Sequence, residues 1–103
     1  MVLLEFSMVP LDKGQSVSQY VARSLDIIDS SGLDYRLNAM GTIIEGELPE
    51  VLDVLRRCVE AIAADCDRVT FTAKMDYRKG YVGRLESKVS SVEAKVGREL
   101  KKG

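Results

Sequence analysis

Residues 33–47, LDYRLNAMGTIIEGE, decide the fold, because two strand-like runs flank a single turn. LDYRLN (33–38) and TIIEGE (42–47) read as strands, and the short turn around Met40-Gly41 makes them an antiparallel hairpin. The second run also poses a question. Glu45 follows Ile43 and Ile44, where a strand building a core would continue apolar.

Upstream, VLLEFSM (2–8) alternates as a strand, with Leu4, Phe6 and Met8 on one side and Leu3, Glu5 and Ser7 on the other. Pro10 and Gly14 mark a loop. SVSQ (16–19) fits a capping box, with Ser16 as the cap and Gln19 reaching back. Val17, Tyr20, Val21, Leu25 and Ile28 then recur at helical spacing, and Gly32 ends the helix in a left-handed conformation.

Downstream, Pro49 suits the first turn of a second helix with a stripe of Val51, Leu55, Cys58 and Ile62. RVTFTAKMDY (68–77) alternates as a fourth strand. After the loop RKGYVG, a third helix carries Leu85, Val89, Val92 and Val96 as its apolar stripe.

The order is βαββαβ with an added C-terminal helix. It predicts an α+β, ferredoxin-like sandwich: a four-stranded antiparallel sheet with two helices on one face and strands one and three at its centre. Alternation places Leu4, Phe6, Tyr35, Leu37, Ile44, Val69, Phe71 and Ala73 toward the helices. Leu3, Glu5, Ser7, Arg36, Asn38, Ile43, Glu45, Thr70, Thr72 and Lys74 take the opposite face, which is expected to be uncovered in a monomer.

Composition narrows the function. The 103 residues suit a single domain, 46% are apolar and 30% charged, and the net charge is −1 with both signs interleaved. This lacks the basic footprint of a nucleic-acid binder. The RNA-recognition motif shares the strand order, but its base-stacking aromatics would be Glu5, Ser7, Ile43 and Glu45 here. KGYVG (79–83) follows strand four and cannot supply them. Acylphosphatase chemistry lacks support because the first loop, VPLDKGQS, has no arginine to hold a phosphate.

The chain has no histidine, which removes the usual zinc sets and imidazole triads. Cys58 lies on a helical apolar stripe and Cys66 near that helix's end, without C-x-x-C spacing, so both are expected as reduced thiols. MVLLEFSMVP has no basic n-region, and no apolar run approaches the ~20 residues of a membrane span. A cytoplasmic protein is expected, with neither nucleic acid nor membrane as partner.

The opposite sheet face admits two readings from its residues alone. One is a solvated face or a polar contact between copies. The other is a small-molecule site in which a carboxylate stands among apolar walls and hydroxyls, suiting a cationic ligand with hydrogen-bonding edges.

VPL ending strand one, SVSQYVA (16–22), SGLDYRL (31–37), MGTIIEG (40–46), DRVTF (67–71), DYRKG (76–80) and KVSSVEAK (88–95) occur in this order. Together they resemble the small thiamine-binding protein family over nearly the whole chain. The resemblance implies a ferredoxin-like fold that pairs sheets into dimers and commonly forms a dimer of dimers, hence a homotetramer. It also implies non-catalytic binding of thiamine or its pyrimidine part. Carried over by motif, the candidate ligand-binding residues are Ser16, Ser18, Met40, Gly41, Thr42 and Glu45, together with Asn38 just before the motif.

General chemistry suggests their roles. Gly41 permits a tight turn or a close backbone approach, Thr42 and Ser18 hydrogen-bond a heterocycle, and Met40 packs on an aromatic ring. Glu45 pairs with a cationic ring or accepts from an amino group. The chain departs from the family at Asn38-Ala39, which stand for Thr-Pro, at Val59 for a histidine, at Phe71 for a threonine, and at Tyr77 within D-D-R. The leading expectation is a non-enzymatic small-ligand binding protein, with no catalytic residues, metal or cofactor. The alternative is a structural or regulatory oligomerisation module without a ligand.

Overall fold

The computed structural model describes residues 1–12 and 18–102. Its elements are β1 (Val2–Pro10), α1 (Ser18–Ser30), β2 (Asp34–Asn38), β3 (Gly41–Gly46), α2 (Leu48–Ala63), β4 (Val69–Tyr77) and α3 (Arg84–Val96). This is the expected α+β, ferredoxin-like sandwich. The antiparallel sheet runs β2-β3-β1-β4, with strands one and three at its centre. The capping box at Ser16 lies outside the described residues. Gly32 has φ +79°, the left-handed helix end its position called for.

Register explains which side chains meet. Leu4 stands opposite Ile44 and Ile44 opposite Tyr35, so one row faces α1 and α2. Leu3 pairs with Glu45 and Asp76, and Glu5 pairs with Ile43 and Lys74, on the other face. The predicted alternation therefore holds in all four strands. Leu37 and Ala73, though on the helix side, remain exposed.

The core is built where those rows meet the helices. Val2, Leu4, Phe6 and Ile44 pack with Ile28, Val51, Val54 and Cys58 in one cluster; Met8, Tyr20, Ile62 and Cys66 form a second. Full burial of a large aliphatic side chain contributes roughly 1.5–3 kcal/mol, so the first cluster dominates stability. Val54 is more deeply buried than Leu55, which shifts the α2 stripe slightly from the predicted one. Ser24 on α1 is buried against Met8, its hydroxyl donating to the sulfur at 3.5 Å. Arg23 ties α1 to the end of α2 through Ala61 O at 3.1 Å and Asp65 at 2.7 Å.

Three expectations are corrected. The hairpin turn falls one residue early: Asn38 pairs with Gly41, so the turn residues are Ala39 and Met40, and Gly41 already belongs to β3. Neither turn residue has positive φ, so this is not the primed turn whose twist matches its strands. Second, the face opposite α1 and α2 is not bare, because α3 lies over its β2–β3 half. Leu85 and Val89 stand with Arg36, Asn38 and Ile43 around a groove of about 410 Å³. Third, only the first half of the α3 stripe faces inward, with Val92 and Val96 exposed. The β2–β3 half of the face offers Ile43 as its apolar centre, partly buried beside Leu85 and Val89.

Candidate functional site

The β2–β3 hairpin end and α1 enclose a cavity of about 210 Å³ between sheet and helix. Its apolar walls come from Phe6 and Met8 of β1, Val21 and Leu25 of α1, and Leu37 of β2. Those residues face each other because strand alternation and the helical three-to-four spacing both turn them toward the same layer. Ser24 and Thr42 supply side-chain hydroxyls, Asn38 borders the cavity at the end of β2 with its side chain on the α3 face, and no charged side chain among the described residues lines it.

Four of the sequence-predicted residues meet there. Asn38 is half-buried at the end of β2, Met40 stands 89% exposed at the turn, and Gly41 and Thr42 open β3. A Cβ on Gly41 would sit 3.1 Å from the Phe6 carbonyl oxygen, so the residue serves a close backbone approach and not the turn itself. Thr42 is buried as a residue. Its hydroxyl has no hydrogen-bond partner among the described residues, so the group is available to a ligand. Ser18 begins α1 one turn before Val21 and is exposed; it does not line the cavity. Ser16 lies outside the described residues.

Glu45 is elsewhere. It is buried on the opposite face, and its Oε2 accepts the Arg84 backbone N–H at 2.7 Å. Arg84 is the first residue of α3, where backbone N–H groups lack helical partners and the helix dipole favours an anion. The same residue's guanidinium, also buried, bonds the Asp76 carboxylate and reaches the Asp76 carbonyl at 3.3 Å. Since Glu45 and Asp76 both stand opposite Leu3, Arg84 spans β1 and joins β3 to β4. Lys88 and Arg84 together hold the Asp76 carboxyl below its ordinary value, the Lys88 hydrogen bond contributing most. This answers the question raised by the acid among isoleucines: it receives a helix end.

Sequence reasoning missed Ser24 and Met8 as cavity residues. The signal for Ser24 was available, since it interrupts the α1 apolar stripe midway between Tyr20 and Ile28. A polar residue there must find a partner or a pocket. Burial pushes the Cys58 thiol up, away from the thiolate form that nucleophilic chemistry requires. Among the described residues no group of acidic or cysteine side chains is arranged to hold a metal ion. No helix among them is long and apolar enough to cross a membrane.

Comparison with known proteins places this geometry in context. Residues 4–93 match the family model described as thiamine-binding protein. A UPF0045 protein of Mycobacterium bovis is 40% identical over 93 residues, covering 89% of this chain and 91% of the relative. The crystal structure of a hypothetical protein from Methanocaldococcus jannaschii superposes with a TM-score of 0.82 at 36% identity, covering 88% of this chain and 94% of that one. A domain of unknown function from Bacillus cereus gives 0.71 at 32% identity, covering 82% and 85%. The chain belongs to the thiamine-binding protein family.

Proposed function

We propose that this protein is a non-catalytic binder of thiamine or a related pyrimidine, held in the cavity between α1 and the β2–β3 hairpin. The observation that carries the reading is the convergence of Asn38, Met40, Gly41 and Thr42 on one cavity. Its volume of about 210 Å³ lies below the ~300 Å³ at which whole-ligand pockets begin, so it suits one ring of a larger molecule. Apolar walls accept the ring, while Thr42 and Ser24 offer hydroxyls. A cationic or phosphorylated end would remain outside, since no lining side chain among the described residues is charged. Met40, exposed at the rim, can fold over the ring.

Asn38 and Ala39 both line the cavity and both depart from the family pattern. They are therefore where ligand preference within the family would be tuned. Ser18 and Glu45 do not line it, and the proposed contact set omits them. The absence of histidine and the raised Cys58 thiol favour binding without turnover. Isothermal titration with thiamine, its phosphate ester and its free pyrimidine alcohol tests the reading. Binding of the uncharged pyrimidine supports it, and no heat from any of the three at high protein concentration overturns it.

One observation favours the alternative, an oligomerisation module. β4 is a nine-residue edge strand whose residues from Thr72 to Tyr77 are all exposed, including Met75 and Tyr77. Such edges pair readily with another chain. Self-association into a dimer or tetramer is compatible with ligand binding, and sedimentation with and without thiamine separates the two roles.

A further inference from the structure

The sheet contains a notch beside the cavity. β1 pairs with β4 along its whole length, Val2 to Pro10, but with β3 only from Val2 to Phe6. The last shared pair is Phe6 with Thr42, and β3 starts at Gly41 because the turn occupies Ala39 and Met40.

The direction of the β1 backbone groups follows from one bond. Leu11 N–H donates to Arg68 O at 2.8 Å, extending the β1–β4 ladder one step beyond the pair of Pro10 with Val69. In an antiparallel strand the N–H and C=O of one residue point the same way and successive residues alternate. Odd-numbered residues of β1 therefore turn toward β4, and Val2, Leu4 and Phe6 turn toward β3. The 3.1 Å approach of a Gly41 Cβ to the Phe6 oxygen agrees with this. Met8 is the next in the series, and no β3 residue stands opposite it. Among the described residues no backbone hydrogen bond to a turn or loop takes its place. Met8 is nevertheless only 8% exposed, and both it and Ser7 border the cavity. Ser7 has its side chain on the opposite face, opposite Thr72, as fits a cavity that reaches the β1 main chain. A main-chain donor and acceptor of a largely buried residue, side by side, thus turn toward the space that β3 leaves.

We infer that the Met8 main-chain N–H and C=O are the recognition edge of the cavity, completing the sheet with a ligand in place of a strand. The chemistry that fits is a planar heterocycle bearing a ring-nitrogen acceptor next to an amino donor. The ring nitrogen accepts from Met8 N–H and the amino group donates to Met8 C=O. This is β-strand addition reduced to a single pair. The inference rests on the pyrimidine-binding reading but goes further, because it makes specificity a property of the main chain. Thr42 then supports the ring from the side.

The test uses the full chain, ¹⁵N-labelled, with two probes: 4-amino-5-hydroxymethyl-2-methylpyrimidine and the same compound without its amino group. Affinity should fall at least about tenfold on losing the amino group, and Met8 amide exchange should slow only with the amino compound. Equal affinities, or unchanged Met8 exchange under saturating amino compound, would overturn the inference while leaving the binding reading intact. Binding of neither probe would overturn both. A Met8 amide already protected without ligand, and released on dilution, would assign the edge to a second copy instead.

Discussion

The Glu45 carboxylate receives the Arg84 backbone N–H at 2.7 Å, so a buried acid on a central strand holds the first turn of α3 against the sheet. The contact lies on the face away from the α1 cavity, and the two can be perturbed separately.

Replacing Glu45 with alanine should destabilise the protein by ~1–3 kcal/mol, the range for a buried hydrogen bond to a charged group. Glu45→Gln keeps an acceptor and should lose only part of that. Urea denaturation measures the loss, and exchange of α3 amides locates it. Affinity for the pyrimidine should stay unchanged in both variants; a marked drop would return Glu45 to the ligand site.

Acid should loosen α3 through Asp76. Its folded carboxyl titrates below the ordinary value, with Lys88 and Arg84 favouring the charged form. The resulting stabilisation is complete above the ordinary aspartate pKa of about 3.9 and is lost as pH falls through the lower folded value. Between neutral pH and pH 5 it should be flat. Asp76→Asn should remove this part of the acid dependence, measured as unfolding free energy against pH. Asp76 is half-exposed, so added salt should weaken the effect.

Gly41→Ala should cost roughly 1–3 kcal/mol, the usual penalty for overpacking. The new Cβ would meet the Phe6 carbonyl, a backbone atom that a rotamer change cannot move. Its φ is not in the left-handed region, so the penalty is one of space. Pyrimidine affinity should fall with it, because the displaced strand end forms the cavity wall. Wild-type affinity and stability together would remove Gly41 from this role.

Thr42→Val should separate binding from folding. The hydroxyl has no protein partner among the described residues, so stability should change by less than about 0.5 kcal/mol. Ligand affinity should weaken by ~0.5–1.5 kcal/mol if the hydroxyl bonds the ring. Calorimetry and thermal unfolding on the same preparation provide both quantities.

Strand order, face alternation and the position of Glu45 were legible because each rests on period-two patterning that tertiary packing reinforces. Ile43 and Glu45 fell on one face and Ile44 on the other, as the register requires. The docking of α3 was not legible. Its four apolar residues fit one stripe equally well whether they meet this sheet or a second chain. What selects this sheet is a backbone N–H meeting a carboxylate 39 residues away, which no local pattern records. The cavity was half legible, since MGT marked the hairpin end. The missing β3 partner of Met8 depends on a one-residue difference in where the turn falls.

Neither core cluster draws a residue from beyond β4, and every fully buried member precedes Asp67. During synthesis the sandwich can therefore close before α3 has left the ribosome, with β4 adding Val69 and Phe71 at its margin. Arg84 would then arrive at an assembled sheet on which Glu45 and Asp76 already flank Leu3. The helix that covers the acidic row is made after the sheet it covers, and its docking can follow the closing of the sandwich.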